Sequence, residues 1–371
     1  MDFSAASLAE HAPAKINLAL HITGRRPDGF HLIESLAVFT RHGDRVTVAA
    51  ASEDSFSASG PFGAEIPLDG GNLVVRARDV VRSLANFHSV RLQPVSIHLT
   101  KHLPIASGIG GGSSDAAATL TALNRLCSFG LSPEQLTEIG KELGADVPMC
   151  LRSSPLIARG IGEQIEPAAG FPALSLVLVN PGVAVSTPKV FRALASWENA
   201  GLPPLPLFNR PSPLPSPREG RGEGAASAER SSVLPVEPEE KDEAAALMPP
   251  SPRPELVEGS RGEGKGEGHF AFEGEEQFAF GDICRWLAST RNDLQASAIS
   301  IAPAITEAIE ALTAAGATFA RMSGSGATCF GLFETPSAAA RAAAQIQARQ
   351  PGWWVVATES IASKDSVHAP A

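Results

Sequence analysis

LPIASGIGGGSSDA, residues 103–116, packs four glycines (Gly108, Gly110, Gly111 and Gly112) and two small hydroxyl residues (Ser113 and Ser114) into a short stretch of chain. It follows a strand-like run, VSIHL at 95–99. It leads into AAATLTALNRL, whose strong helix formers predict a helix over about residues 115–126. A strand, a loop poor in Cβ atoms and a helix start, in that order, make an anion site. The backbone N–H groups at a helix N-terminus are unspent, and the positive end of the helix dipole faces the same place. Neither of the commoner nucleotide loops is spelt here. Walker A requires a lysine that does not follow these glycines, and the dinucleotide fingerprint wants a third glycine where Ser113 stands. At this point an ordinary glycine-rich turn stays open as the alternative.

Three further segments carry polar or small residues that call for partners. In APAKIN, residues 12–17, Lys15 and Asn17 fall on one face of a strand while Ile16 and the following Leu18 take the other. A solvated strand face is the plainer reading. GADVP, residues 144–148, puts Asp146 just after a helix, in a turn closed by Pro148; taken alone, such an aspartate is more often a turn residue. MSGSGATCFGLF, residues 322–333, is a turn of small residues feeding an apolar strand, able to bring backbone close to a ligand.

The surroundings are those of a globular protein with room for two domains: 371 residues, 43% apolar and 19% charged. A formal charge of −10 provides no dominant basic field, which argues against nucleic acid as a partner but leaves room for a local site for one nucleotide. Cys127, Cys150, Cys284 and Cys329 are far apart and form no C-x-x-C pair, so they read as reduced thiols, not as a zinc or disulfide framework. There is no H-E-x-x-H, the His98 and His102 pair lacks a carboxylate, and no G-x-S-x-G occurs near Gly324, so neither a metalloenzyme nor a serine hydrolase has a motif. No apolar run reaches 18 residues and the first residues lack a secretory pattern, which predicts a cytoplasmic protein without a membrane partner.

Strands are expected at 14–20 and 45–49, with GRRPDG (24–29) as a turn. Residues 73–85 read as a helix capped by Asn72. A second helix, over 133–143, carries a capping box of Ser132 and Gln135, with Pro133 at its first position and Gly144 past its end. ICRWLAST (283–290) and ITEAIEALTAAG (305–316) read as helices. Between 203 and 268 the composition shifts to Pro, Gly, Glu, Ser and Arg, which predicts a disordered insertion: a surface-loop expansion, or else a partner-binding segment. The tail after residue 363 reads as loose.

Residues 104–113 match P-x-x-x-G-[LI]-G-[GS]-[GS]-S, and together with APAKINL, GRRPDGFH and GADVP they resemble the GHMP kinase superfamily over about residues 10–200 and 280–360. The combination looks like a branch that acts on a cytidine-bearing alcohol. The resemblance implies an α+β fold of two domains. Residues 10–165 would form the first, with the ATP loop. Residues 166–362 would form a ferredoxin-like second, interrupted by the insertion, with a small-molecule substrate between the two. It implies Lys15 and Asp146 as the catalytic pair and ATP with Mg²⁺ as cofactor, without a decisive protein ligand for the metal. ATP would be bound by Pro104, Ile105, Ala106, Ser107, Gly108, Ile109, Gly110, Gly111, Gly112, Ser113 and Ser114, with Asn72 and Lys101 nearby. Asn17, Phe30, His31 and Thr187 would touch the substrate. Phe30 departs from the pattern, standing where tyrosine is common in a chain with no tyrosine. Two alternatives remain: a GHMP kinase for another alcohol, of mevalonate or homoserine type, and a nucleotide-binding scaffold that has lost catalysis.

Overall fold

Two runs of alternating apolar residues on either side of GRRPDG fold into one long hairpin. β1 (Ser7–Arg25) and β2 (His31–Ala50) pair antiparallel from Ser7↔Ala49 to Arg25↔His31, with register irregularities at Pro13/Lys15, Asn17/Ala19 and Ile22/Gly24. The computed structural model describes residues 7–87, 93–206 and 280–363. Both strands run well past their expected bounds, because ladder hydrogen bonds carry them through polar residues that an alternation pattern leaves out. The turn accordingly starts later than expected, closed by Arg26 N donating to Phe30 O at 2.7 Å.

β2 is the spine of a six-stranded sheet. On its other edge β4 (Val95–Thr100) and β5 (Leu156–Arg159) pair antiparallel, while β3 (Ser55–Ser59) and β6 (Gln164–Pro167) extend the two ends. One core joins Phe39, Val46 and Val48 of this sheet to α1 (Leu73–Phe87), α2 (Gly111–Leu126), α3 (Pro133–Leu143) and α4 (Val147–Arg152), through Val74, Leu120, Leu123, Leu136 and Met149. The helix starts follow local chemistry. Asn72 Oδ1 accepts from Val74 N at 2.8 Å at the head of α1. Ser132 and Gln135 make both bonds of the capping box on α3, and Gly144 follows its end. α2 starts four residues earlier than its helix formers predict. Gly110, at φ 66°, takes the left-handed position before it, and Gly111 and Gly112 fit inside the first turn.

β7 (Ser175–Asn180), β8 (Phe319–Met322), β9 (Cys329–Phe333) and β10 (Trp354–Glu359) form a second sheet in the order β10-β7-β9-β8, every pair antiparallel. α5 (Thr187–Arg192), α6 (Phe280–Ala288), α7 (Gln295–Ile301) and α8 (Ala304–Ala314) lie between β7 and β8, and α9 (Pro336–Arg349) lies between β9 and β10. This is ferredoxin-like β-α-β-β-α-β connectivity. α6 and α8 cover the two expected helical segments. β7 reads as unbroken apolar sequence because both its faces are covered. Leu176 and Leu178 meet Ile16, Leu18, Leu36 and Val38 of the first sheet, whereas Val177 and Val179 meet Leu312, Ala339 and Ile346. Each such fully buried aliphatic side chain contributes about 1.5–3 kcal/mol.

Two buried cations tie the layers together. Arg321 of β8 donates to Leu18 O on β1 (3.0 Å), to Leu287 O and to Thr290 O, and its guanidinium lies over Phe319; burial pulls its pKa down to about 10. Lys101, just past β4, reaches Asp44 of β2 at 2.6 Å and Asp115 in the first turn of α2 at 2.5 Å. Asp44 is also bonded by the N–H groups of His102 and Leu103, but Asp115 Oδ1 has no partner. Burial, reinforced by the Asp44 charge, pushes the Asp115 carboxyl up to about 8 against the pull of Lys101. Although burial opposes it, the Lys101 ammonium is held above its ordinary value by Asp115 and Asp44.

The insertion expected at 203–268 lies, from residue 207 onward, outside the described residues, as does the tail after 363. Its first residues are packed: Leu205 sits against the inter-sheet core and Pro204 O accepts from the Trp286 indole at 2.9 Å. The four cysteines are free, with Cys150, Cys284 and Cys329 buried. Among the described residues no helix is long and apolar enough to cross a membrane. Replacing Lys101 with Met would leave the buried acids Asp44 and Asp115 without the cation that they share. Urea unfolding should show a loss of about 3–5 kcal/mol, and a loss below about 1 kcal/mol would mean that the cluster relaxes to water.

Candidate functional site

A cleft of about 1260 Å³ opens beside the glycine loop; it is lined by β1 and β2 of the first sheet and by α5, the turn between β8 and β9 and other connections of the second sheet. Its floor is set by backbone lying against backbone. A Cβ on Gly108, whose φ is 76°, would stand 2.7 Å from Gly326 N and O; one on Gly324 would stand 2.5 Å from Gly108 O. Thr328 N donates to Ser107 O at 3.1 Å, and the Ser323 hydroxyl lies between Gly108 O and Asn17 N. The small-residue turn at 322–328 thus seats the glycine loop on β1. Asn292 of the second sheet's surroundings holds the turn from behind, donating to Met322 O and Gly324 O.

Lys15 threads through this contact. Its N–H donates to Ile109 O at 2.9 Å, and its aliphatic stem passes where Gly110 has no side chain, 3.2–3.3 Å from where a Cβ would be. Its ammonium then meets Asp146 Oδ1 at 2.9 Å. The plainer reading of a solvated strand face fails here, since Lys15 and Asn17 are 4% and 3% exposed. Asn17 is fixed by donating Nδ2 to Ser35 Oγ at 2.7 Å. Asp146 stands differently from the sequence expectation. Pro148 does not close a turn after it but lies in the first turn of α4, and Asp146 occupies the position before that helix. Its carboxylate makes no capping bond and is half-exposed, which leaves it free for Lys15 and for the cleft.

The expected site residues converge on this cleft with two exceptions. Ile109 is fully buried in the inter-sheet core and contributes only its carbonyl, and the Ser114 hydroxyl is buried behind the first turn of α2. Lys101 lines the cleft, but its ammonium is committed to Asp44 and Asp115. Thr187, at the head of α5, lies 2.7 Å from the Ser325 hydroxyl. At the far end Phe30 is exposed, and His31 packs on Phe191 with ring centroids 4.9 Å apart. Partial burial, and then the Arg25 charge, lower the His31 pKa, which favours the neutral imidazole.

Sequence reasoning did not find Arg25, Phe191, Arg192, Trp197 or Ser325, all of which line the cleft. The signal available for three of them was FRALASW after Thr187, an aromatic and cationic run that spans the end of a short helix and the coil after it.

Two family models match the chain, GHMP kinases N terminal domain over residues 72–154 and GHMP kinases C terminal over residues 276–352. The 4-diphosphocytidyl-2-C-methyl-D-erythritol kinase of Mesorhizobium japonicum is 45% identical over 364 residues, 98% of this chain and 99% of that one. The enzyme of the same name from Brucella abortus is 44% identical over 96% of this chain and 97% of its own. A crystal structure of 4-(cytidine 5'-diphospho)-2C-methyl-D-erythritol kinase superposes with a TM-score of 0.63 at 27% identity, covering 95% and 99% of the two chains. Homoserine kinase from Cytophaga hutchinsonii, at 15% identity and a TM-score of 0.57, shares the fold. With the glycine loop, its supporting turn and the Lys15–Asp146 pair in one cleft, these likenesses show that the chain belongs to the 4-diphosphocytidyl-2-C-methyl-D-erythritol kinase family of the GHMP kinases.

Proposed function

We propose that this chain transfers the γ-phosphoryl group of ATP to the C2 hydroxyl of 4-diphosphocytidyl-2-C-methyl-D-erythritol, a step of non-mevalonate isoprenoid precursor synthesis. The observation that carries the reading is the 2.9 Å contact between Lys15 and Asp146 at the mouth of the glycine loop. Phosphoryl transfer asks the protein for positioning and for charge stabilisation more than for covalent chemistry. The unspent N–H groups at the start of α2 are placed to take the β- and γ-phosphates. Asp146 accepts or orients the proton of the attacking hydroxyl, and Lys15 offsets charge on the transferring group.

Mg²⁺ on a nucleotide takes most of its oxygens from phosphate and water and needs one or two from the protein. Asp115 Oδ1, buried at the cleft without a partner, fits that need and would hold the ion, which supplies neutralisation of phosphate charge. Phe30, Phe191 and His31 offer apolar faces and a neutral imidazole for a pyrimidine, with Asn17 and Thr187 nearer the reacting end. The division into domains at 10–165 and 166–362 is part of the same reading; the first sheet ends at Pro167 and the second begins at Ser175. Four free cysteines are in keeping with a cytoplasmic setting.

ADP release should be measured with ATP and Mg²⁺ against 4-diphosphocytidyl-2-C-methyl-D-erythritol, mevalonate, homoserine and no acceptor. Release with the cytidylyl alcohol alone is expected; release only with another alcohol would discard the substrate, and release with none would leave a nucleotide-binding scaffold. Asp146→Asn should lower kcat by about 10²–10⁴-fold, and near-normal turnover would remove Asp146 from its role. Gly110→Ala places a methyl against the Lys15 stem at a left-handed backbone position. Its kcat should fall roughly 10²-fold, whereas unchanged turnover would mean that the stem moves aside freely.

A further inference from the structure

Four cationic side chains line the cleft: Lys15, Arg25, Lys101 and Arg192. Lys15 is paired with Asp146, and Lys101 with Asp44 and Asp115. Arg25 and Arg192 have no carboxylate partner among the described residues, although Arg26, next to Arg25, is paired with Asp28 at 2.7 Å. Both arginines belong to the His31 end of the cleft. Arg25 closes β1 directly opposite His31 across the hairpin, and Arg192 follows Phe191, whose ring packs on His31. The Arg25 guanidinium sits over the Trp197 ring, 5.7 Å from its centroid, and makes one long hydrogen bond, from Nε to Gly29 O at 3.4 Å. An aromatic platform under one face restrains a guanidinium and leaves its N–H edges available, the geometry that suits a phosphate oxygen pair.

We propose that Arg25, held on Trp197, and Arg192 form the binding site for the diphosphate linkage of the cytidylyl substrate. The inference rests on the substrate reading above. If the base lies by His31 and Phe191 and the reacting hydroxyl lies by Asp146, the anionic linkage leaves the base from the end of the cleft that both arginines line. The phosphates of ATP have their own donors in the glycine loop and Lys15, which leaves the two unpaired arginines to the other anion. Binding there serves specificity: an alcohol without a diphosphate gains nothing from this end of the cleft, so the arginines would raise affinity for the cytidylyl substrate over smaller acceptors.

The test is calorimetric binding of cytidine 5'-diphosphate and of cytidine to the full chain, with Arg25→Gln and Arg192→Gln beside the wild type and melting temperatures taken as a check on folding. Wild type should favour the diphosphate. Each variant should lose about tenfold of that affinity, the size expected for a charge-assisted hydrogen bond, with cytidine affinity changed less than about twofold. Variants that keep the wild-type ratio of the two affinities would overturn the arginine site while leaving the substrate reading intact. A wild type that binds both ligands equally would do the same. A wild type that binds neither would overturn the substrate reading, and the arginine site with it.

Discussion

The absence of side chains at Gly108 and Gly110 is the constraint on which the site is built. At Gly108 the glycine loop lies against the backbone of the turn at 322–328, too close for any Cβ, so the loop and the second sheet hold each other in place. At Gly110 the same absence opens a lane for the Lys15 stem, and the left-handed backbone there turns the chain into α2. One short run of sequence therefore sets three things together: the direction of free N–H groups, the path of a lysine and the seating of one sheet on the other.

Charge is distributed along the same cleft in a graded way. Lys101 is sealed between two carboxylates and works as a tie between α2 and the first sheet. Lys15 is buried along its stem and meets a carboxylate that is still half-exposed. Arg25 and Arg192 stand at the outer end without carboxylate partners among the described residues. A buried cation with two anions has little left to offer a ligand, whereas a guanidinium resting on an indole retains its donors. On the proposed reading the cations at the outer end select the substrate, Lys15 acts at the transferring group and Lys101 preserves the geometry around it.

Much of this was legible in the order of residues, and the failures share a cause. The glycine loop, the α3 capping box, the Asn72 cap and the placement of Lys15 and Asn17 on one strand face are local patterns, and each appears as expected. The long β1–β2 hairpin was underestimated because its ladder runs through polar residues whose partners lie on the other strand. Asp146 was legible as a candidate, but the place of Pro148 inside α4 was not, since proline serves a turn and a first helical turn equally well. Ile109 and Ser114 belong to the motif yet point away from the cleft, because a motif spans both faces of the chain that carries it. Phe191, Arg192 and Trp197 escaped altogether; only tertiary packing folds α5 and the coil after it back onto the end of the hairpin.

The most direct measurement is a crystal structure of the full chain with a non-hydrolysable ATP analogue and Mg²⁺. The β- and γ-phosphates should lie on the backbone N–H groups of residues 110–113, with Lys15 and Asp146 within about 4 Å of the terminal phosphate, as ion-pair and proton-transfer contacts require. Phosphates bound elsewhere in the cleft, with the Lys15–Asp146 pair remote from them, would contradict the assignment of this loop and this pair to phosphoryl transfer.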